Sequence, residues 1–294
     1  MDALPHLELS FELGELDPAT AEAACLQSGA LCVTFSDASD EPVLEPAPGE
    51  MRLWRQTRLQ ALYDGQRAAA GLIGQVAAAL AIDASRLAVR ALADRIWERE
   101  WLRDFHALRF GQRLWICPRH ERIDDPDAVV VRLDPGLAFG TGTHPSTALC
   151  LQWLDAAPLS GSVVIDYGCG AGALAIAALK LGAQRTFAFD IDPQALLATG
   201  ENAIDNGVAD RLQLCERAAD LPRSCDVLLA NILAEVLISL RQPFAELLPP
   251  GGRCLLAGIL DAQEPEVASA FLKWFDIGRF AQREGWVALA GIRR

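Results

Sequence analysis

The chain has 294 residues, a formal net charge of −13 and a hydrophobic content of 51%. That length points to two domains, or to one large domain with an appendage, and that apolar share is enough for a substantial core. The acidity argues against a nucleic-acid partner, which needs clustered Lys and Arg, and leaves solubility or a basic partner as its explanation.

The first stretch, residues 1–93, reads as a βαββαβ series. Residues 7–13, Leu-Glu-Leu-Ser-Phe-Glu-Leu, alternate strictly between apolar and polar, the mark of a half-buried strand. Asp17 followed by Pro18 predicts a helix start, and Gly29 closes that helix. Residues 31–35 form a second strand. Residues 1–50 carry no Lys or Arg and eleven Asp or Glu, and within them 36–50 is an acidic, proline-rich loop. Such a loop is either simply solvated or able to steer a cationic protein substrate. Residues 52–63 supply a third strand, although the same stretch also fits a helix. A helix over 68–80 and a strand over 87–92 complete a ferredoxin-like α+β layer. Residues 94–105 follow as a helix capped by Asp94, with Trp97 and Trp101 four apart on one face, where the indoles suit packing against a neighbouring domain more readily than stacking on a cofactor.

Beyond this linker, residues 111–117 and 129–133 read as strands, and Pro145 opens a helix that runs to about Asp155. From Val163 onward strands and helices alternate, with strands near Val163, Thr186, Leu212, Val227, Cys254 and Phe275. That rhythm means a mainly parallel sheet with helices on both faces. Residues 276–281 and 285–292 leave no room for a helix between them and should pair antiparallel at the end of the sheet. The eight cysteines form no Cys-x-x-Cys pair and have no histidine cluster, which argues against zinc and against a disulfide framework and suits reduced thiols in a cytoplasm. Neither a signal peptide nor an apolar run of about 18 residues is evident, so no membrane association is expected.

The chemistry concentrates at three strand ends. Residues 163–172, Val-Val-Ile-Asp-Tyr-Gly-Cys-Gly-Ala-Gly, run a strand into the alternating glycines Gly168, Gly170 and Gly172, with a helix directly after. The next strand ends in Asp190, and the strand opening at Asp226 ends in Asn231-Ile232-Leu233. A glycine loop, a carboxylate and an amide thus reach the carboxyl edge of one sheet, where open α/β sheets bind ligands. The carboxylate suits the two hydroxyls of a ribose. A dinucleotide would match Gly168, Gly170 and Ala173 loosely, but Asp166 beside the loop gains nothing from a pyrophosphate. An acid there suits a cofactor bearing an ammonium and a sulfonium, such as S-adenosylmethionine. Cys169, inside the loop, reads as a small residue packed under the turn.

Adding Asp134-Pro-Gly-Leu-Ala-Phe-Gly-Thr-Gly-Thr-His-Pro-Ser-Thr147, the chain resembles the bacterial ribosomal protein methyltransferases that modify large-subunit ribosomal protein eleven. Residues 97–101 (Trp-Glu-Arg-Glu-Trp), residues 110–117, Asp166 to Gly172, Asp190-Ile-Asp-Pro193 and Asn231-Ile-Leu233 share in the resemblance, which covers almost the whole chain. It implies a class I S-adenosylmethionine-dependent methyltransferase fold, doubly wound and Rossmann-like, at 109–294. A linker helix at 94–108 and a small substrate-recognition domain at 1–93 would precede it. It also implies cofactor contacts at Thr147, Gly168, Asp190 and Asn231, with Asn231 orienting the acceptor amine and no metal. The implied substrate is a basic ribosomal protein, methylated in the cytoplasm on lysine side chains and an N-terminal α-amine, without direct nucleic-acid binding. Ala171 departs from the family's usual Ser, with little effect expected on a loop that works through its backbone.

Some alternatives stay open on the residues alone. Thr147 lies in a first helical turn and would also serve as a cap. Asp190 could cap the following helix, but Asp192 before Pro193 is the better cap. His144 reads as a helix-entry residue more readily than as a general base. Rival functions are methylation of another protein or nucleobase amine, a nucleotide-dependent oxidoreductase, and a non-catalytic module that keeps the cofactor loop.

Overall fold

The computed structural model describes residues 6–39, 53–65, 69–92, 106–133 and 144–294. The expected linker helix over 94–105, most of the acidic loop (40–50) and most of the glycine-rich segment (134–143) lie outside the described residues. The chain forms two compact units, Met1–Glu100 and Trp101–Arg294.

In the first unit the elements are β1 (His6–Glu12), α1 (Pro18–Gln27), β2 (Cys32–Asp37), β3 (Thr57–Tyr63), α2 (Ala69–Leu80) and β4 (Ala88–Leu92). The sheet order is β2-β3-β1-β4 with every neighbouring pair antiparallel, the split βαβ arrangement that the element order predicts. Helix α1 starts where expected: the Asp17 carboxylate accepts the Thr20 N–H at 2.9 Å. The stretch that also fitted a helix is a strand. Thr57, Leu59, Ala61 and Tyr63 are buried in strict alternation, so the period of two decides it. One face of the sheet, through Leu9, Phe11 and Leu59, packs with Cys25, Leu72 and Val76 of the two helices. The Tyr63 hydroxyl, fully buried, lies 2.8 Å from Ser28 Oγ.

The second unit opens with β5 (Leu108–Phe110), β6 (Leu114–Cys117) and β7 (Val129–Arg132), a small sheet of their own. The expected strand over 111–117 is confined to Leu114–Cys117, because residues 111–113, Gly-Gln-Arg, form the turn between β5 and β6. The buried Asp155 carboxylate holds that turn by accepting the N–H groups of Gln112 and Arg113. Then follow α3 (Pro145–Ala156), β8 (Val163–Tyr167), α4 (Ala173–Lys180), β9 (Arg185–Phe189), α5 (Pro193–Asp205), β10 (Leu212–Cys215) and β11 (Val227–Asn231). The unit ends with α6 (Ala234–Leu247), β12 (Arg253–Leu260), α7 (Glu264–Phe271), β13 (Phe275–Arg283) and β14 (Trp286–Arg293).

The seven-stranded sheet has the order β10-β9-β8-β11-β12-β14-β13. Strands β8 to β12 are mutually parallel, and β14 runs antiparallel to both β12 and β13, the terminal pair expected from the missing helix. Alternate residues of the central strands feed two cores. Val164, Leu229 and Leu255 pack with Leu149, Leu154 and Ile176 of α3 and α4. Ile165, Leu228 and Leu256 pack with Leu237, Phe244 and Phe271 of α6 and α7. A sheet covered on both faces needs near-continuous apolar strands, which is why β11 reads Val-Leu-Leu-Ala before its terminal Asn231.

Helix α3 carries the one histidine cap among the described residues of this unit. His144 Nδ1 accepts the Ser146 N–H at 3.3 Å and lies 2.7 Å from Ser146 Oγ, and its ring stands edge-on to Trp286 at 4.7 Å. The helix-entry role read from the sequence is the one the structure displays. Burial holds the imidazole below its ordinary pKa, with Glu284 opposing. A protonated Nδ1 cannot accept, so the cap needs the neutral ring. A depressed folded pKa makes this contribution complete above the unfolded value of about 6.5 and lost as pH falls through the folded value. Asn caps helices without titrating. The Tm difference between wild type and His144→Asn is therefore expected to shift against wild type as pH is lowered below about 6.5. Parallel melting profiles from pH 8 to pH 5 would refute the cap's titration.

Candidate active site

The site is built where parallel strands stop in register. Tyr167, the last residue of β8, pairs with Phe189 at the end of β9 and with Ala230 in β11. The next residues along the three strands are Gly168, Asp190 and Asn231, so the sheet itself brings these three sequence-predicted residues to one edge.

The glycine loop is held by its backbone. Gly168 N–H and Cys169 N–H both donate to the Phe189 carbonyl, at 2.8 and 3.0 Å. Gly170 N–H donates to Asp190 Oδ2 at 2.9 Å, and Asp192 N–H donates to Asp190 Oδ1 at 3.0 Å. Each Asp190 oxygen thus takes one backbone donor and keeps acceptor capacity for a further hydroxyl. The cap of α5 is Asp192, whose carboxylate accepts the Gln194 N–H, so Asp190 is free of that duty as its position suggested. Cys169 is buried with Sγ 3.5 Å from Thr199 Oγ1, in keeping with a packing role.

Asp166 lies fully buried beneath the loop. Its Oδ2 accepts the Ala175 N–H in the first turn of α4 at 3.0 Å, and Oδ1 has no hydrogen-bond partner. Burial pushes this carboxyl up to about 7; the Ala175 bond opposes the rise and the Asp190 charge adds to it. A cation over the loop would favour the ionised form.

The fourth predicted residue comes from outside the sheet. Thr147, buried in the first turn of α3, accepts a hydrogen bond from Asn231 Nδ2 at 3.1 Å. Four residues spread over 84 positions of sequence therefore form two bonded pairs or near-pairs on one edge: Thr147 with Asn231, and Asp190 with the loop that begins at Gly168.

Three contributors escaped the sequence reading. Gly258 sits in β12 with φ +78°, where the pairing with β14 shifts register between Leu256 and Ile259. A Cβ there would come within 2.5 Å of the Ile232 carbonyl oxygen. A Cβ on Gly168, φ +82°, would overlap Ile232 Cγ2. Ile232 thus passes between two glycines, one from the loop and one from the neighbouring strand. An isolated glycine inside a strand pattern signals a close backbone approach, and that signal was present. The other two are Thr199 and Asn202 of α5. Thr199 Oγ1 donates to the Gly170 carbonyl at 2.8 Å, and Asn202 Nδ2 to the Ala171 carbonyl at 2.9 Å. Their spacing of three places both on the helix face toward the loop.

Glycines that leave the loop backbone bare, a carboxylate that can take paired hydroxyls, a buried acid and an amide at a neighbouring strand end fit a cofactor with a ribose and a cationic amino-acid arm. No group of three or more His, Cys, Asp or Glu among the described residues could hold a metal ion.

Comparison with known proteins gives the same direction. Residues 5–294 match the family described as Ribosomal protein L11 methyltransferase. A protein of that name from Pseudomonas aeruginosa is 47% identical over 292 residues, covering 99% of each chain. One from Methylococcus capsulatus is 49% identical over 273 residues, covering 92% of this chain and 93% of that one. Among solved structures, a ribosomal protein L11 methylase from Lactobacillus delbrueckii subsp. bulgaricus superposes with a TM-score of 0.60 at 34% identity, covering 65% of this chain and all of that one. With the doubly wound sheet, the glycine loop and the Asn231 tripeptide in place, these matches along nearly its whole length show that the chain belongs to the ribosomal protein L11 methyltransferase family.

Proposed function

We propose that this chain transfers methyl groups from S-adenosylmethionine to amines of ribosomal protein L11, on lysine side chains and an N-terminal α-amine, in the cytoplasm. The observation that carries this reading is the half-buried Asn231 amide, held by Thr147 at the strand end beside the glycine loop. Among the described residues no helix is long and apolar enough to cross a membrane.

When bound, the cofactor supplies a methyl group on a positively charged sulfur. That methyl would pass to the amine nitrogen through its lone pair, the C–S electron pair staying with sulfur. The methylated nitrogen then sheds a proton to solvent. A lysine amine has a reference pKa of about 10.4 and must reach the site neutral, which a desolvated approach favours. In this reading Asp190 takes the ribose hydroxyls and Gly168 leaves room for the cofactor at the loop entry. The Asn231 Oδ1, with a neighbouring backbone carbonyl, accepts the amine's hydrogens and aims the lone pair. The gain comes from alignment, with no dedicated base. The base-free acidic segment 1–50 suits a basic ribosomal protein, and residues 1–93 serve as the unit that grips it.

Two substitutions separate the roles. Asn231→Ala should lower kcat about a hundredfold while cofactor Kd stays within a few-fold. Asp190→Ala should instead raise the cofactor Kd by roughly ten- to a hundredfold, from the loss of charge-assisted bonds. Calorimetric binding with initial rates decides both. Wild-type turnover in the first variant removes Asn231 from the reaction, and an unchanged Kd in the second removes Asp190 from the ribose. Deleting residues 1–93 should abolish methyl transfer to ribosomal protein L11 and preserve cofactor binding. Labelling of the substrate at the wild-type rate by the shortened chain would reject a gripping role.

A further inference from the structure

A carboxamide has two ends of nearly equal size and opposite chemistry: the oxygen accepts, and the nitrogen donates two hydrogens. For an amine acceptor the difference is decisive. Oδ1 turned to the amine receives its hydrogens and leaves the lone pair exposed, whereas Nδ2 turned to it offers donors to a donor. Rotation about the last side-chain bond exchanges the two ends, so something must choose between them.

We propose that Thr147 makes that choice, as a positioning residue acting through Asn231. This rests on the reading of Asn231 given above and adds to it a role distinct from cofactor contact. Thr147 is 1% exposed and Asn231 is half-buried, so the amide runs from a buried hydroxyl toward the open edge of the sheet. The bond from Nδ2 to Thr147 Oγ1 at 3.1 Å uses the nitrogen end on the buried side and directs Oδ1 away from it. Both partners are held at their own ends. Thr147 lies in the first turn of a helix whose entry is fixed by His144, and Ser146 beside it is also buried. Asn231 closes β11, paired with Ala257, and is followed by Ile232 in its seat between Gly168 and Gly258. The hydroxyl therefore meets an amide whose backbone is held on both sides, and by accepting from Nδ2 it keeps the nitrogen end on the buried side.

Thr147→Val keeps the branched shape and removes the acceptor. It is expected to lower kcat roughly tenfold, the equivalent of one lost hydrogen bond, with cofactor Kd changed less than about twofold. Thr147→Ser should recover most of the loss. In the full-length protein without substrate, the Asn231 side-chain NH₂ resonances should lose protection from solvent exchange in Thr147→Val and regain it in Thr147→Ser. On an Asn231→Ala background, Thr147→Val should cost nothing further, since residues acting as a unit are non-additive. Several results would overturn the assignment. One is a full additional loss in the double variant. Another is a rise in cofactor Kd that accounts for the whole effect of Thr147→Val, which would make the hydroxyl a cofactor contact alone. Wild-type turnover in Asn231→Ala would instead overturn the reading of Asn231 together with this proposal. Calorimetric binding of the cofactor shows in each case that the variant is folded.

Discussion

The seat of Ile232 between Gly168 and Gly258 is the constraint on which the rest of the site depends. Gly168 belongs to the loop after β8 and Gly258 to the bulged strand β12, and both stand in left-handed backbone conformations. Neither position has room for a Cβ against Ile232. The tripeptide that ends β11 is thereby brought closer to the loop than any side chain would allow. A cofactor resting on the loop and an amine aimed by the tripeptide then share one rigid frame. In reactions governed by alignment, an error of about 1 Å can cost a hundredfold in rate, so contact at this closeness is a functional requirement as much as a packing one.

Around that contact, the loop's backbone groups are bonded on both sides. Asp190 takes donors from one side, while Thr199 and Asn202 donate to carbonyls from the other. Asp166 takes the Ala175 N–H from below. Most of these partners sit on or directly beside helices and strands, the arrangement that holds a site most tightly. It also bears on the expectation that Ala171, in place of the family's usual Ser, has little effect. Its carbonyl is what the structure uses, and a carbonyl is common to every residue.

Much of this was legible in the sequence, for identifiable reasons. Strands covered on both faces must be apolar, so the polar residue that ends one, as Asn231 does, stands out. The glycine alternation and the Asp192-Pro193 cap are local signals that need no tertiary context. Strand β3 was ambiguous because Arg52 to Tyr63 carries apolar residues at both helical and strand spacings, and only burial against α1 and α2 resolves it. The turn at 111–113, Gly-Gln-Arg, was read into the strand because its stabilising partner, Asp155, lies more than 40 residues away. The bond between Thr147 and Asn231 spans 84 positions, and the seat of Ile232 joins two strand ends with the interior of a third strand. Contacts of that kind follow from sheet order and register, which no local pattern encodes.

The cysteines have a practical consequence. All eight are free; seven are buried and only Cys32, in the edge strand β2, is exposed. Burial pushes the thiols of Cys225 and Cys254 up to about 12, and it raises those of Cys150 and Cys169 as well. Since the thiolate is the reactive form, the second unit is chemically quiet toward alkylating reagents in its native state. A maleimide dye added to the folded, unmodified chain would therefore attach at one place, on the small unit. That offers a fluorescent handle for following how that unit engages a substrate, with no engineered cysteine and no probe on the second unit.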